Sequence, residues 1–480
     1  MLASPGKTRP HFPRFRLALF PMNPLPYRGC LAAVWLAAAG LAFAQANDAL
    51  LHKLVEKGIL TTDEAKQLQA ESNQNFTTAH AAKTGMPEWV TRLQFSGDLR
   101  VRFNSDQFAN ATAVTRDRWR YRARFGWLAT LKDDFEVGLR FGSGDLDSPL
   151  GPGGGALSYY QTLQNNAAKK GVFLDQAFGR WTAWRTDAWK LALTAGKMPE
   201  PFEFSEIGLG FDPDYTPEGL ALHLEFKPSA RHTLRWINAF LVLDELAAAT
   251  DDPYLLGSQV RLDSMWSKQW STSLGLLWLG FENTDRLSNS AVPNANVGNW
   301  RVIPAGTNAL DAVPQYEFAP VMVDAAVTCR FARGPLHPGP FPVRVSGAYQ
   351  YNPEAPASAH NYAWSGGLFL GKAGKAGTWE LAYCYKWIGA NAVWEEVIDD
   401  DFGGYWASTA GRNFASGARG FFTGTNARGH VTRLSYSPRD FLTLSLRWYH
   451  LGLIDEPLVA SGTDADSTVD RFMVEADLRF

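Results

Sequence analysis

From residue 90 to the end of the chain, apolar and polar side chains alternate with a period of two. Leu93, Phe95, Gly97, Leu99, Val101 and Phe103 alternate with Arg92, Gln94, Ser96, Asp98, Arg100 and Arg102. Trp119, Tyr121, Ala123, Phe125 and Trp127 alternate with Arg118, Arg120, Arg122, Arg124 and Gly126. Successive side chains of a strand point to opposite faces, so each segment has one apolar and one strongly polar side. A soluble sandwich gives the same alternation, and one strand decides nothing. Repetition decides. Further segments fall near 134–144, 172–184, 188–197, 217–227, 231–243, 254–266, 270–282 and 317–332. Others follow near 341–352, 361–371, 376–388, 428–437, 440–452 and 468–480, which makes sixteen strands.

The connections alternate in length. Lys132-Asp133, Arg185–Asp187, Ser267–Gln269 and Ser437–Arg439 read as short turns, whereas 145–171, 283–316 and 389–427 are long and rich in Gly, Pro, Asn and Asp. A soluble propeller or sandwich has no reason to send every long loop to one end. A barrel of the outer-membrane type does, with short periplasmic turns, long external loops and an even strand count. Unpaired backbone groups are too costly in lipid, so the sheet must close on itself. The fold class predicted is therefore all-β, a transmembrane antiparallel up-and-down barrel preceded by a short helical segment.

Composition agrees with this. Aromatics make up 13% of the 480 residues, with 18 Trp and 43 Gly, while three cysteines (Cys30, Cys329, Cys384) exclude a disulfide scaffold and a Cys-rich zinc module. Lys+Arg 46 against Asp+Glu 48 gives no reason to expect nucleic-acid binding. The one long apolar run, Cys30 to Ala44, has the length of a signal-peptide core and ends in Ala42-Phe43-Ala44, a cleavage pattern. Residues 1–44 are read as a signal peptide, with Met22 a plausible start, and 45–89 as a periplasmic helical segment and linker. In the latter, Leu50, Leu51, Leu54 and Val55 share one helical face, Gly58 caps it, and Thr61 with Glu64 opens a second helix. Residues 90–480 are the barrel.

Opposite the apolar rows, the first three strands carry Arg92, Arg100, Arg102, Arg118, Arg120, Arg122, Arg124 and Arg140, with Asp98 and Glu136 against them. In later strands Arg261, Arg330, Arg344, Lys386, Arg447, Arg471 and Arg479 nearly balance Glu225, Asp263, Asp324, Glu380, Glu475 and Asp477. Arginine does not shed its charge, and facing lipid at mid-bilayer it costs about 2–4 kcal/mol. The row must face water. Between strands five and six, residues 197–218 hold Glu200, Glu203, Glu206, Asp212, Asp214 and Glu218 against Lys197 alone.

The chain ends Phe472-Met-Val-Glu-Ala-Asp-Leu-Arg-Phe480. This resembles the C-terminal strand by which Gram-negative outer-membrane barrels are recognised for assembly, with Phe480 as the signal. The Arg118-x-Arg120-x-Arg122-x-Arg124 run, Gly196-Lys197-Met198-Pro199-Glu200-Pro201-Phe202, and Phe211-Asp212-Pro213-Asp214 leading to Pro217-Glu218-Gly219 resemble a family of putative bacterial porins. The resemblance implies a sixteen-stranded diffusion channel, a homotrimer, and no catalytic residue, metal or cofactor. General porins fold the third external loop into the channel. By that resemblance Glu200, Glu203, Glu206, Asp212 and Asp214 would face Arg100, Arg102, Arg118, Arg120, Arg122, Arg124 and Arg140, setting a transverse field across a constriction.

The function expected is an outer-membrane porin for passive diffusion of small hydrophilic solutes or ions, tilted toward anions. Partners expected are outer-membrane lipid, lipopolysaccharide and the barrel-assembly machinery, with no nucleic acid. Two other readings stay open: a surface adhesin or structural barrel working through its long loops, and a barrel enzyme of the phospholipase type. No G-x-S-x-G, Walker or H-E-x-x-H pattern occurs. Asp399-Asp400-Asp401 and Asp145-x-Asp147 are weak candidates for divalent cations, and His223, His430 and His450 fall in no ligand spacing.

Overall fold

The computed structural model describes residues 64, 66–68, 86–109, 115–144, 158–205, 209–247, 250–292, 298–308, 311–399, 401–402, 424–454 and 468–480. The chain divides into two units, Met1–Glu88 and Trp89–Phe480. In the first, Glu64 and Lys66 to Leu68 are helical, inside the second of the two predicted helices. The signal peptide, the first helix, Gly58 and Thr61 lie outside the described residues.

In the second unit, sixteen long strands form one antiparallel sheet. They are β1 (Val90–Phe108), β2 (Arg116–Leu131), β3 (Phe135–Gly144), β4 (Gly171–Arg185), β5 (Trp189–Lys197), β6 (Glu218–Ser229), β7 (His232–Val242) and β8 (Tyr254–Met265). Then come β9 (Trp270–Glu282), β10 (Val321–Phe331), β11 (Phe341–Tyr351), β12 (Tyr362–Gly371), β13 (Thr378–Ile388), β14 (Ala427–Arg439), β15 (Leu442–Leu453) and β16 (Thr468–Arg479). Each pairs with its neighbours in sequence, and β16 returns to pair with β1 from Asp98↔Arg479 to Phe108↔Val469. The sheet therefore closes. All sixteen predicted strands are present. The turn predicted at Ser437–Arg439 falls later, at Asp440-Phe441, because a bulge between Tyr436 and Arg439 lets β14 run on.

The alternation sorts the side chains as a barrel in lipid requires. Leu93, Phe95, Trp119, Trp127, Val137, Leu139, Leu276, Val345, Leu446 and Val474 are exposed on the outer wall, while Arg102, Arg122, Arg261, Asp324 and Glu475 are buried inside. Closure is tight at the seam. Gly97 N–H donates to Phe480 O (2.9 Å) and Phe480 N–H to Gly97 O (3.0 Å). A Cβ on Gly97 would lie 2.5 Å from both Arg124 O and the Phe480 ring. Gly97→Leu should therefore strain the seam by about 1–3 kcal/mol. On semi-native gels its folded band should convert to the unfolded one at lower temperature than wild type; an unchanged transition would show that the seam yields freely.

The interior is not empty. Its apolar cluster joins loop residues Met198, Phe202, Leu209, Phe211, Trp394, Val397, Ile398 and Phe402 to wall residues Ile237, Leu241, Leu255, Leu277 and Leu279. The third external connection, between β5 and β6, and the seventh, between β13 and β14, thus contribute residues to the packing inside the barrel. The third loop is anchored on the β8 wall, where Gln259 donates to Glu203 O (2.7 Å) and accepts from Glu203 N–H (2.9 Å). Ser205 N–H donates to Asp324 on β10 (2.8 Å). Gly257 makes this possible, since a Cβ there would stand 2.2 Å from the Phe202 ring.

Candidate functional site: the arginine-lined inner chamber

Strands β1 and β2 run in register with arginines pointing inward, because the alternation that sends Trp119 and Leu99 outward leaves their neighbours no other side. Arg100, Arg102, Arg122, Arg124 and Arg140 line a cavity of about 740 Å³, together with Lys386, Arg433, Arg447 and Arg479 from strands β13 to β16, which adjoin β1 round the seam. Asp98, Asp212, Asp214, Asp399 and Asp401 line it too, so nine basic side chains face five acidic ones. Arg118 and Arg120 belong to the same row without lining that cavity. Arg118 pairs with Asp106 (3.0 Å), and Arg120 donates to Tyr160 O (3.3 Å).

The arginines are held by Asp98, which the sequence set against them, and by carboxylates that it did not place beside them. Closure of the barrel brings β16 against β1, so Arg100 meets Asp477 (3.2 Å) and Arg102, 2% exposed, meets Glu475 (2.5 Å). Arg122 and Arg124 share Asp98 (2.7 and 2.9 Å), and Arg140 is bound to Asp175 on β4. The inward Asp106 holds both Arg118 and Arg471 (2.6 Å). Asp98 and Glu136 are therefore not the only acids on this wall. Each pair is a charge-assisted hydrogen bond that fixes a guanidinium plane.

Two tyrosines of the second external loop, also absent from the sequence-based list, lie over these planes. The Arg102 guanidinium sits 3.8 Å from the Tyr160 ring centroid and Arg124 5.1 Å from that of Tyr159, within cation–π range. Tyr160 Oη accepts from Arg100 (3.0 Å), while Tyr159 Oη donates to Asp175 and lies 3.1 Å from Asp214 O. Burial pushes both phenols up, so the hydroxyls keep their protons. The signal for Tyr159-Tyr160 was weak: a lone aromatic pair in a long loop, with nothing local to say which way it folds.

The loop acids divide. Asp214 lies 3.6 Å from Arg122 and 3.9 Å from Arg124, and Asp212 lines the same cavity. Glu203 sits on the other wall, 3.1 Å from Arg235 and 3.8 Å from Arg261. The expectation that it opposes the β1–β2 arginines is corrected: the Gln259 anchor fixes it at β8. Glu200 is corrected likewise. Its Oε1 is shut off from solvent without a hydrogen-bond partner, and burial alone pushes its carboxyl well above the usual range. Packing, rather than a facing arginine, surrounds its carboxyl. Glu206 lies outside the described residues.

The seventh loop supplies acids that the sequence assigned elsewhere. Asp401 is 3.2 Å from Arg102 and its carbonyl accepts from Arg471 (2.6 Å), while Asp399 is 3.5 Å from Lys386. These side chains pair with cations of the wall. Their reading as a divalent-cation site is replaced by that arrangement; Asp400, Asp145 and Asp147 lie outside the described residues. Burial would raise Asp401, but Arg102, Arg471, Arg447 and Arg120 outweigh it and hold the carboxyl far below the usual range. Asp214 moves the other way: burial pushes it up, Arg122 and Arg124 only partly offset this, and Asp401 adds to the rise.

His450 pairs with Asp470 (2.9 Å) and His430 with Tyr383 (2.8 Å), in one cross-strand row near the external strand ends. His223 faces Ile237 across β6 and β7. These three histidines share no site.

Residues 109–301 match the model of the family described as putative porin. No curated protein matches the chain in sequence. Among solved structures, the chain is similar to the high-pH structure of Pseudomonas putida OprB at 10% identity, covering 84% of this chain and 97% of that one, with a TM-score of 0.48. It is similar to Pseudomonas aeruginosa OpdQ at 9% identity, covering 82% and 99%, with a TM-score of 0.38. The loop L8 deletion mutant of OmpT, an outer membrane protein of Vibrio cholerae, gives 9% identity, 81% and 99% coverage, and a TM-score of 0.39. Sixteen strands closed on themselves make this chain an antiparallel β-barrel, and its residues 109–301 are similar to the putative porin family.

Proposed function

We propose that the protein is a passive channel for small hydrophilic solutes that prefers anions. In this reading the β1–β2 arginines form one side of a constriction, with Asp214 of the third loop and Asp401 of the seventh opposite them. The observation that carries it is the 740 Å³ chamber with nine basic and five acidic side chains on its walls. Charges of one sign in a low-dielectric bore raise the local concentration of counter-ions and set selectivity without a catalytic group. The reading includes export through the 1–44 signal peptide, insertion signalled by Phe480, and lipopolysaccharide around the outer rim. It also includes a homotrimer. The reversal potential of purified protein in a planar bilayer under a salt gradient tests it. An anion-selective potential is expected; cation selectivity would remove the anion preference, and absence of conductance would return the adhesin reading.

A pH dependence follows from the two loop acids. Asp214 is faced by Asp98, Arg100, Arg122, Arg124, Tyr159 and Asp401. Its raised carboxyl takes up a proton at higher pH than an ordinary aspartate, while Asp401 stays ionised. The chamber then loses one negative charge and keeps all its arginines. Anion selectivity should rise on acidification from neutral pH, and Asp214→Asn should abolish the change. A fall in anion selectivity on acidification would contradict the assignment.

A further inference from the structure

Arginine stands directly opposite arginine in the register of two strand pairs around the chamber. On β1 and β2 the partners are Arg100↔Arg122 and Arg102↔Arg120; on β14 and β15 they are Arg433↔Arg447. Like charges directly opposite on one face destabilise a sheet, and arginine cannot relieve the repulsion by deprotonating. The wall carboxylates relieve it only in part: Arg433 pairs with Glu380 (2.6 Å), but the others are shared. Glu475 alone serves Arg102 (2.5 Å), Arg447 (3.2 Å) and Arg100 (3.8 Å), and Asp98 serves Arg122 and Arg124. The Nε–H groups of Arg100 and Arg433 are shut off from bulk solvent and make no hydrogen bond, while that of Arg447 has only the shared Glu475 beside it. All three residues line the chamber.

We propose that the chamber holds a saturable site for a small oxyanion bearing two or more charges, gripped between Arg433–Arg447 on one side and Arg100–Arg122 on the other. This rests on the reading of the lumen as a solute path and adds a retention step to it. Guanidinium forks bind carboxylate and phosphate oxygens in pairs, so a halide or a single carboxylate satisfies one fork at most. Strands β15 and β1 are separated only by β16, roughly 10 Å across at about 4.8 Å per strand. A compact anion with two charged ends can reach both arginine pairs. Either a polycarboxylate or a phosphorylated solute has this chemistry.

The test uses the full-length protein in two measurements. In planar bilayers carrying chloride current, citrate and inorganic pyrophosphate are added, with acetate as the monovalent comparison. In parallel, titration calorimetry follows citrate and pyrophosphate binding to the detergent-solubilised protein. Saturable block and saturable binding by at least one multivalent anion, at least 10-fold tighter than acetate, are expected. Whichever of the two binds tighter identifies carboxylate or phosphate as the ligand group. Arg433→Gln and Arg447→Gln should each weaken binding 10-fold or more, and Arg447→Lys, which keeps the charge but loses the fork, at least 3-fold. Arg185→Gln, at an exposed turn, should bind as wild type. Binding without conductance would sink the channel reading and leave the site standing. Conductance without saturable binding, or binding indifferent to Arg433 and Arg447, would overturn the site.

Discussion

Arg122→Glu is expected to shift the reversal potential toward cations and to abolish most of the anion selectivity. The arginine donates twice to Asp98, at 3.0 and 2.7 Å, and stands 3.6 Å from Asp214. Reversing it puts three carboxylates together and changes the chamber by two charges. At about 8 Å and an effective dielectric of about 20, one unit charge changes the energy of a permeating ion by about 2 kcal/mol. That corresponds to a more than 10-fold change in relative permeability per charge. Arg124 remains to hold both acids (2.9 and 3.9 Å), so Asp214 is not released outright. Arg120→Glu, in the same row but turned to Tyr160 O, should shift the potential less, and Arg118→Glu, tied to Asp106, less again. Single-channel recordings in a salt gradient give the ranking. An unchanged potential for Arg122→Glu would take the arginine row out of the selectivity step.

Glu395→Ala is expected to free the seventh loop from the fifth while leaving the barrel closed. Glu395 and Arg301 are both fully buried, with Arg301 Nη2 2.5 Å and Nε 2.9 Å from Glu395 Oε1. The other oxygen accepts from Asn299 N–H (2.9 Å), and Asn299 in turn accepts from Glu395 N–H (2.9 Å). Removing the carboxylate strands a guanidinium in a dry site, a loss of about 3–5 kcal/mol. Arg301→Met with Glu395→Leu removes both charges and should recover much of that, since no uncompensated ion remains. Limited proteolysis should cut the fifth and seventh loops faster in Glu395→Ala than in the double variant or wild type. Because the seventh loop carries Asp399 and Asp401 to Lys386 and Arg102, its release should also raise anion selectivity. Equal cleavage rates in all three proteins would show that the buried pair does not hold the loop.

Local alternation was enough to find the strands and to say which way the arginines turn, because an extended chain has only two sides and hydrocarbon tolerates one kind of residue. Arg100, Arg102, Arg122, Arg124 and Arg140 could therefore be named as inward before any contact was known, and all five line the chamber. The loop acids could not be sorted the same way. A loop has no period. Glu203 is placed by Gln259 and Asp214 by Arg122 and Arg124, partners dozens of residues distant. Asp399 and Asp401 looked like a solvated acidic run for the same reason, since only the folding-in of the seventh loop sets them against Lys386 and Arg102.

The sequence by itself determined the barrel, its sixteen strands, the outward apolar wall and the inward charge of β1 and β2, all from a period of two that any residue pair reports locally. Tertiary structure alone decided how those charges are balanced. Glu475 and Asp477 lie more than 370 positions from Arg100 and Arg102, yet they become neighbours when β16 closes on β1. Charge balance depends on distance in space, and in a closed sheet the longest separations along the chain become the shortest across the seam.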